Sequence, residues 1–198
     1  LKENKNESKY TKGKVLPGKW SYFEYNFSNT VFFYSVNLSD VNFSTDPNFS
    51  WSIFKTYTDF SSTTFSPLSP NIFTSNSQFY GAKFSEYADF SSAIFKHCTN
   101  FSSAIFEYDT DFSSATFIGD VKFIGTIFLN KPNFIISEPH NPFISNRYAP
   151  ARFIACSDNV FIGRDNKVEL NYHLSPNGTV TTTPRGCIVF DPITQEAI

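Results

Sequence analysis

Aromatic rings and polar runs alternate along this chain with a period of eleven. Between residues 79 and 134, phenylalanine falls at Phe79, Phe84, Phe90, Phe95, Phe101, Phe106, Phe112, Phe117, Phe123, Phe128 and Phe134, in steps of alternately five and six. Two places before most rings stands a small or compact residue, among them Ala88, Ala93, Thr99, Ala104, Thr110, Ala115, Val121 and Thr126. The residue in between is often polar: Asp89, Asn100, Asp111 and Lys122. In an extended segment side chains alternate, so the ring and the small residue share one side and the polar residue takes the other. A fixed period built on so short a unit predicts a solenoid, because one unit alone cannot bury its rings. Eleven residues would also suit a helix of about 3.67 residues per turn. Ser, Thr, Asn, Asp and Phe are weak helix formers, so the expectation is strands.

The same frame runs upstream through Phe27, Phe32, Leu38, Phe43, Phe49, Phe54, Phe60 and Phe65. An eight-residue step then leads to Phe73, and a normal step of six to Phe79. The long step holds Pro67 and Pro70, which cannot donate to a strand ladder, and predicts an outward loop near 66–72. Beyond Phe134 the spacing loosens to Phe143, Phe153 and Phe161, broken by Pro132, Pro139, Pro142 and Pro150. Val168, Leu170, Tyr172 and Leu174 then alternate with polar residues, as in a half-buried strand. A turn at Pro176–Gly178 would bring Thr179–Thr183 back beside it. The expected organisation is a leader at 1–19, a solenoid at 20–162 and a small β cap at 163–198.

Phrases such as ADFSS at 88–92, TNFSS at 99–103 and TDFSS at 110–114 resemble the pentapeptide-repeat family, in its Phe-centred form with alternating five- and six-residue units. The resemblance is specific over 79–134 and noisier over 27–65. It implies an all-β protein: a right-handed quadrilateral β-helix with irregular terminal caps and four units, hence 22 residues, per coil. Handedness comes from the resemblance alone. The sixth residue of alternate units is expected to widen two opposite corners.

Composition adds bounds. The chain has 198 residues, 25 Phe, 10 Tyr and no Met, with a formal charge of −2. Six Lys and two Glu crowd into residues 1–19, whereas residues 20–134 carry ten acids and five Lys. Three cysteines, Cys98, Cys156 and Cys187, suit neither a disulfide framework nor a zinc site. Cys156 and Cys187 would pair only if the fold joined them. No apolar run is long enough to span a membrane. Sequons such as Asn26, Asn37, Asn48 and Asn100 follow from the repeated Asn-Phe-Ser phrase. No nucleotide loop, metal set or catalytic constellation is present, and His97, His140 and His173 are scattered. The expectation is no enzyme, no cofactor and no metal.

The leading expectation is a scaffold or protein-interaction module, in a larger assembly or self-associating through its coil ends. Tyr57, Tyr80, Tyr87 and Tyr108 are candidate contacts, since aromatics are enriched at interfaces. Two alternatives are weighed. One is a gyrase-binding DNA mimic, drawing on Asp40, Asp59, Glu86, Asp89, Glu107, Asp109, Asp111 and Asp120. The other is an ice- or carbohydrate-binding surface built on Ser91–Ser92, Ser102–Ser103 and Ser113–Ser114. The basic leader is too slight a footprint for nucleic-acid binding, membrane contact would be indirect, and the compartment, cytoplasmic or extracellular and membrane-associated, stays open.

Overall fold

The computed structural model describes residues 25–66, 76–135, 149–155, 157–162, 168–174, 178–191 and 193–198. The leader at 1–19, Phe73, Phe143 and Cys156 lie outside them. Among the described residues there are short strands and no helix.

Strands of two or three residues wind around four sides, and each side is a parallel sheet. The register is set by the coil length. Phe32 pairs with Phe54, Phe84 with Phe106 and Phe106 with Phe128, each 22 residues on. One coil is longer: Phe54 pairs with Phe84 and Phe65 with Phe95, 30 residues on. Rings 49, 54, 60 and 65 make one coil, and 79, 84, 90 and 95 make the next. Phe79 thus takes the place directly after Phe65, and the expected anchor at Phe73 is not needed. The next extension follows Phe134, since Phe117 pairs with Phe153, 36 residues on. Phe161 also rejoins the stack, over Phe123.

The interior is a bundle of ring columns. Within a column rings stack nearly parallel: Phe54, Phe84 and Phe106 lie 4.8 Å apart with interplanar angles of 3° and 1°. Between columns they meet edge to face, as Phe90 and Phe101 do at 5.5 Å and 84°. Both arrangements suit the ring quadrupole. Phe79, Phe84, Phe90, Phe95, Phe101, Phe106, Phe112, Phe117, Phe123, Phe128 and Phe134 are all buried. Each fully buried ring contributes on the order of 1.5–3 kcal/mol. The small residues two places earlier leave room for the rings. At three of these positions a buried hydroxyl donates to a carbonyl of the coil before, Ser52 to Phe27 at 2.6 Å, Thr63 to Leu38 at 2.7 Å and Thr126 to Phe101 at 2.9 Å, whereas Thr58, Thr99 and Thr110 donate to the carbonyl two residues back.

Five- and six-residue steps produce two kinds of corner. The five-residue step closes a tight turn, with Ala93 N–H donating to Phe90 C=O and Ala104 N–H to Phe101 C=O. Its third residue has a left-handed backbone: Asn29, Asp40, Trp51, Ser62, Gly81, Ser92, Ser103, Ser114 and Gly125 all show φ between +56° and +67°. A residue with φ above zero in that place is the mark of a type II turn. The six-residue step makes a wider corner with no such residue. At most tight corners, though not before Phe79 or Phe123, where Gln78 and Lys122 stand, an Asx residue before the ring locks the start. Its Oδ1 accepts the N–H two residues on, at 3.0 Å for Asn37–Ser39, 2.9 Å for Asp59–Ser61, 2.8 Å for Asp89–Ser91 and 2.9 Å for Asn100–Ser102. The recurring Asn/Asp-Phe-Ser phrase is therefore a side-chain-capped turn.

The far end is plugged. Strands Leu170–Leu174 and Val180–Pro184 form an antiparallel hairpin that buries Thr181 and Thr183. Asn159 Nδ2 donates to Thr182 C=O at 3.1 Å, tying the hairpin to the coil. Strand Ile188–Phe190 adds a last rung beside Arg152–Ile154, with Val189 in register with Phe153. At the near end Tyr25 fills the small-residue position. Its ring meets Phe43 edge to face at 5.5 Å and stacks with Phe27 at 6.3 Å.

Candidate interaction surface

Outward side chains are fixed by the same register, so each face carries one column per rung. The first face presents Val31, Ile53, Lys83, Ile105 and Ile127 and is apolar apart from Lys83. The second presents Asn37, Asp59, Asp89, Asp111 and Asn133 and is acidic. The third is mixed, with Asn42, Thr64, Ile94, Thr116, Arg152 and Ile188. The fourth is an amide face, where Asn26, Asn48, Gln78 and Asn100 lead to Lys122 and Val160.

The apolar face has aromatic margins. Its wide corner carries Phe33, Tyr34, Tyr57, Tyr108 and Leu129, all exposed, and the half-buried Tyr87. Tyr57 and Tyr87 stack at 5.8 Å and 1°. Its tight corner carries Trp51 and Tyr80, edge to face at 5.2 Å, and Ile124. Three of the four candidate tyrosines, Tyr57, Tyr87 and Tyr108, thus share one edge. Tyr80 lies across the face from them. From Val31 to Ile127 the strip crosses four rung spacings, about 19 Å.

Trp51 is a candidate contact that the sequence reading missed. It is 54% exposed although it occupies a left-handed position, φ +60°. A bulky residue there is uncommon, and strain of this kind is often kept for function. The next rung makes room with Gly81, φ +65°, where a Cβ would stand 2.5 Å from the Trp51 ring. The available signal was Trp in a place where other repeats have Ser, Asn, Asp or Gly.

The charge in the centre of the strip is paired. Lys83 Nζ lies 2.8 Å from Glu107 Oε1. That bond, with further help from Ser85 and Lys55, holds the Glu107 carboxyl below its usual range. On the acidic face the trend reverses at Asp89. Burial pushes its carboxyl up, Asp111 and Asp59 on adjacent rungs add to this, and hydrogen bonds from Ser91 only partly offset it.

Several of the remaining candidates have structural partners. Asp109 accepts from Asn130 at 2.7 Å, and Asp111 from Ser113 N–H at 2.7 Å and Asn133 at 3.1 Å. No group of three or more metal-ligating side chains occurs among the described residues. Cys98 Sγ donates to Asp120 at 3.9 Å while His97 is exposed. Cys187 donates to Phe134 C=O at 3.8 Å, and burial pushes its thiol up to about 12, so it stays protonated. The serine pairs close tight corners: Ser91, Ser102 and Ser113 are buried, and Ser92, Ser103 and Ser114 take the left-handed position. They do not make one flat hydroxyl array.

Four parallel sheets around stacked rings define a quadrilateral β-helix. Residues 79–134 match the family model for pentapeptide repeats, in nine copies. Over that segment the chain is similar to the pentapeptide-repeat family, whose repeats form a right-handed quadrilateral β-helix. No curated protein and no solved structure matches the chain.

Proposed function

We propose that this chain is a non-catalytic protein-interaction module, with the apolar face and its two aromatic margins as the contact surface. One observation carries the reading: exposed Phe33, Tyr34, Trp51, Tyr57, Tyr80 and Tyr108 all lie on the two corners that border one apolar face. Interface cores favour aromatics and disfavour unpaired charge, and the central Lys83 is already neutralised by Glu107. The rigid stack fixes these groups before binding, which lowers the ordering cost of association.

The gyrase-mimic reading draws less support. Asp59, Asp89 and Asp111 stand one rung apart, about 4.8 Å, against one charge per about 1.7 Å of duplex. Their carboxylates are also engaged in closing turns.

Affinity purification from the native source tests the proposal. Trp51→Asn with Tyr108→Ser should release the partners that the unaltered chain retains. Thr64→Lys, on the opposite face, should leave them bound. Partners indifferent to the first pair of changes would remove the apolar face from consideration.

A further inference from the structure

The apolar face carries two outward columns, because the residues on either side of each buried ring point out. The first reads Val31, Ile53, Lys83, Ile105, Ile127. The second reads Phe33, Lys55, Ser85, Glu107, Leu129. Its register is fixed by backbone bonds to the ring one rung earlier: Lys55 N–H donates to Phe32 C=O, Ser85 to Phe54, Glu107 to Phe84 and Leu129 to Phe106. Both columns are symmetric about the middle rung. Apolar side chains stand at both ends of each. In the second column the charges have opposite sign, with Lys55 one rung before Ser85 and Glu107 one rung after it.

An order that reads the same both ways, with the charge reversed, is complementary to itself turned around. Two copies can meet face to face with their axes antiparallel, about a two-fold axis at the middle rung. The first rung of one then meets the fifth of the other, and the second meets the fourth. Val31 comes opposite Ile127, Ile53 opposite Ile105 and Phe33 opposite Leu129. Lys55 comes opposite Glu107, twice. The tight margin fits in the same register. Trp51 and Ser103 hold the left-handed places of the second and fourth rungs, so the bulky ring faces a small side chain. The middle rung meets itself, and its Lys83 is already bonded to Glu107 at 2.8 Å. Stacked sheets lie about 10 Å apart, room for one layer of side chains from each copy.

A parallel pairing lacks this match. It would set each rung against itself and exchange the two columns. Lys55 would then face Ile53, and Glu107 would face Ile105. Charges desolvated in an interface without a partner are costly.

We infer that the apolar face pairs side by side, and antiparallel, with the apolar face of a second copy of this chain. The inference rests on the reading of that face as the contact surface and names its occupant. The coil ends take no part.

Light scattering after size exclusion tests it on the whole chain. The unaltered chain should have the mass of two copies. Lys55→Glu sets carboxylate against carboxylate, and Glu107→Lys sets ammonium against ammonium. Each variant alone should have the mass of one copy, with the strand circular dichroism unchanged. An equal mixture of the two should return to two copies, because both contacts of the mixed pair join opposite charges. Ser85→Cys lies on the two-fold axis, so oxidation should link the antiparallel pair and reductant should undo the link. An unaltered chain at one copy overturns the inference. So does a pair that survives either charge reversal, a mixture that stays at one copy, or a paired Ser85→Cys chain that does not link. If a reversed-charge variant does not fold, Phe33→Ser replaces it and should lower the two-copy fraction; no fall overturns the inference. A one-copy chain whose native partners are still released by Trp51→Asn with Tyr108→Ser would remove only the second copy and leave the contact surface standing.

Discussion

Tight and wide corners, made by five- and six-residue steps between equivalent rings, carry out different tasks. At a tight corner the backbone selects the residue: the left-handed place takes Asn, Asp, Ser or Gly, and the Asx before the ring caps the turn. At a wide corner no residue is forced into an unusual conformation, and Tyr, Lys, Glu and Asp are accommodated. Variation therefore collects at wide corners, including the tyrosine edge. Trp51 is instructive because it breaks the division: a side chain of the wide-corner kind held at a tight corner. A residue retained against local preference suggests a demand from outside the fold.

The comparison can be broken first from the inside, because both corners hang on the rings. Phe101 is fully buried between Phe79 and Phe123. Phe101→Ala should cost about 3–5 kcal/mol through lost burial and the cavity left behind. Ser102→Ala, next in sequence, should cost far less, and equal losses in thermal melts would place the ring elsewhere. The corners themselves are then set against each other. Ser103→Val forces a β-branched residue into φ +57° and should cost about 1–3 kcal/mol. Tyr108→Val at the wide corner should stay within about 0.5 kcal/mol. Comparable losses in denaturant titration would erase the distinction.

Gly81→Ala sharpens the exception. The new methyl would meet the Trp51 ring in a left-handed position. A loss of about 1–3 kcal/mol is expected, of which Trp51→Asn should restore the part due to the ring. Strict additivity in the double variant would mean that the two residues do not touch.

The smallest effect belongs to Asp89, and its sign is set by burial. With its folded pKa raised, the native state holds the proton more tightly. The favourable contribution is full below the ordinary carboxylate range and is lost as pH rises through the folded value. At neutral pH the ionised, buried carboxylate beside Asp59 and Asp111 opposes folding. Asp89→Asn keeps an acceptor for Ser91 N–H, so it should stabilise at pH 7, with the gain vanishing below about pH 4. A variant less stable than the parent at pH 7 would show that the charge is useful.

Much of the fold was legible because one constraint repeats. A ring every five or six residues, with a small residue two places before it, is enough to predict stacked short strands and the inward side of each, while the coil length of 22 came from the family resemblance. The register across 65–79 was not legible, because Phe73 kept the right spacing to Phe79 and so resembled an anchor. The stack of Phe79 on Phe49 shows that Phe79 follows Phe65 in the ring series. The interaction surface was half legible. Tyr57, Tyr87 and Tyr108 stood out as tyrosines, yet which of them share an edge depends on the coil length and on the extra residues after Phe65. Trp51 was overlooked because its place, where other repeats have Ser, Asn, Asp or Gly, stands out only once that place is known to need a left-handed backbone. The Asx caps were read as mere outward polarity, since a turn-closing bond looks like any polar residue in sequence.

The distance between Asn37 and Asn133 tests the winding most directly. Both lie on the acidic face, in one column with Asp59, Asp89 and Asp111, four rungs apart and 96 residues apart in the chain. Pulsed electron resonance between spin labels on cysteines placed there should give one narrow distribution, corresponding to a backbone separation of about 19 Å. A broad distribution, or one centred well beyond the reach of the labels from that value, would contradict the four-sided coil.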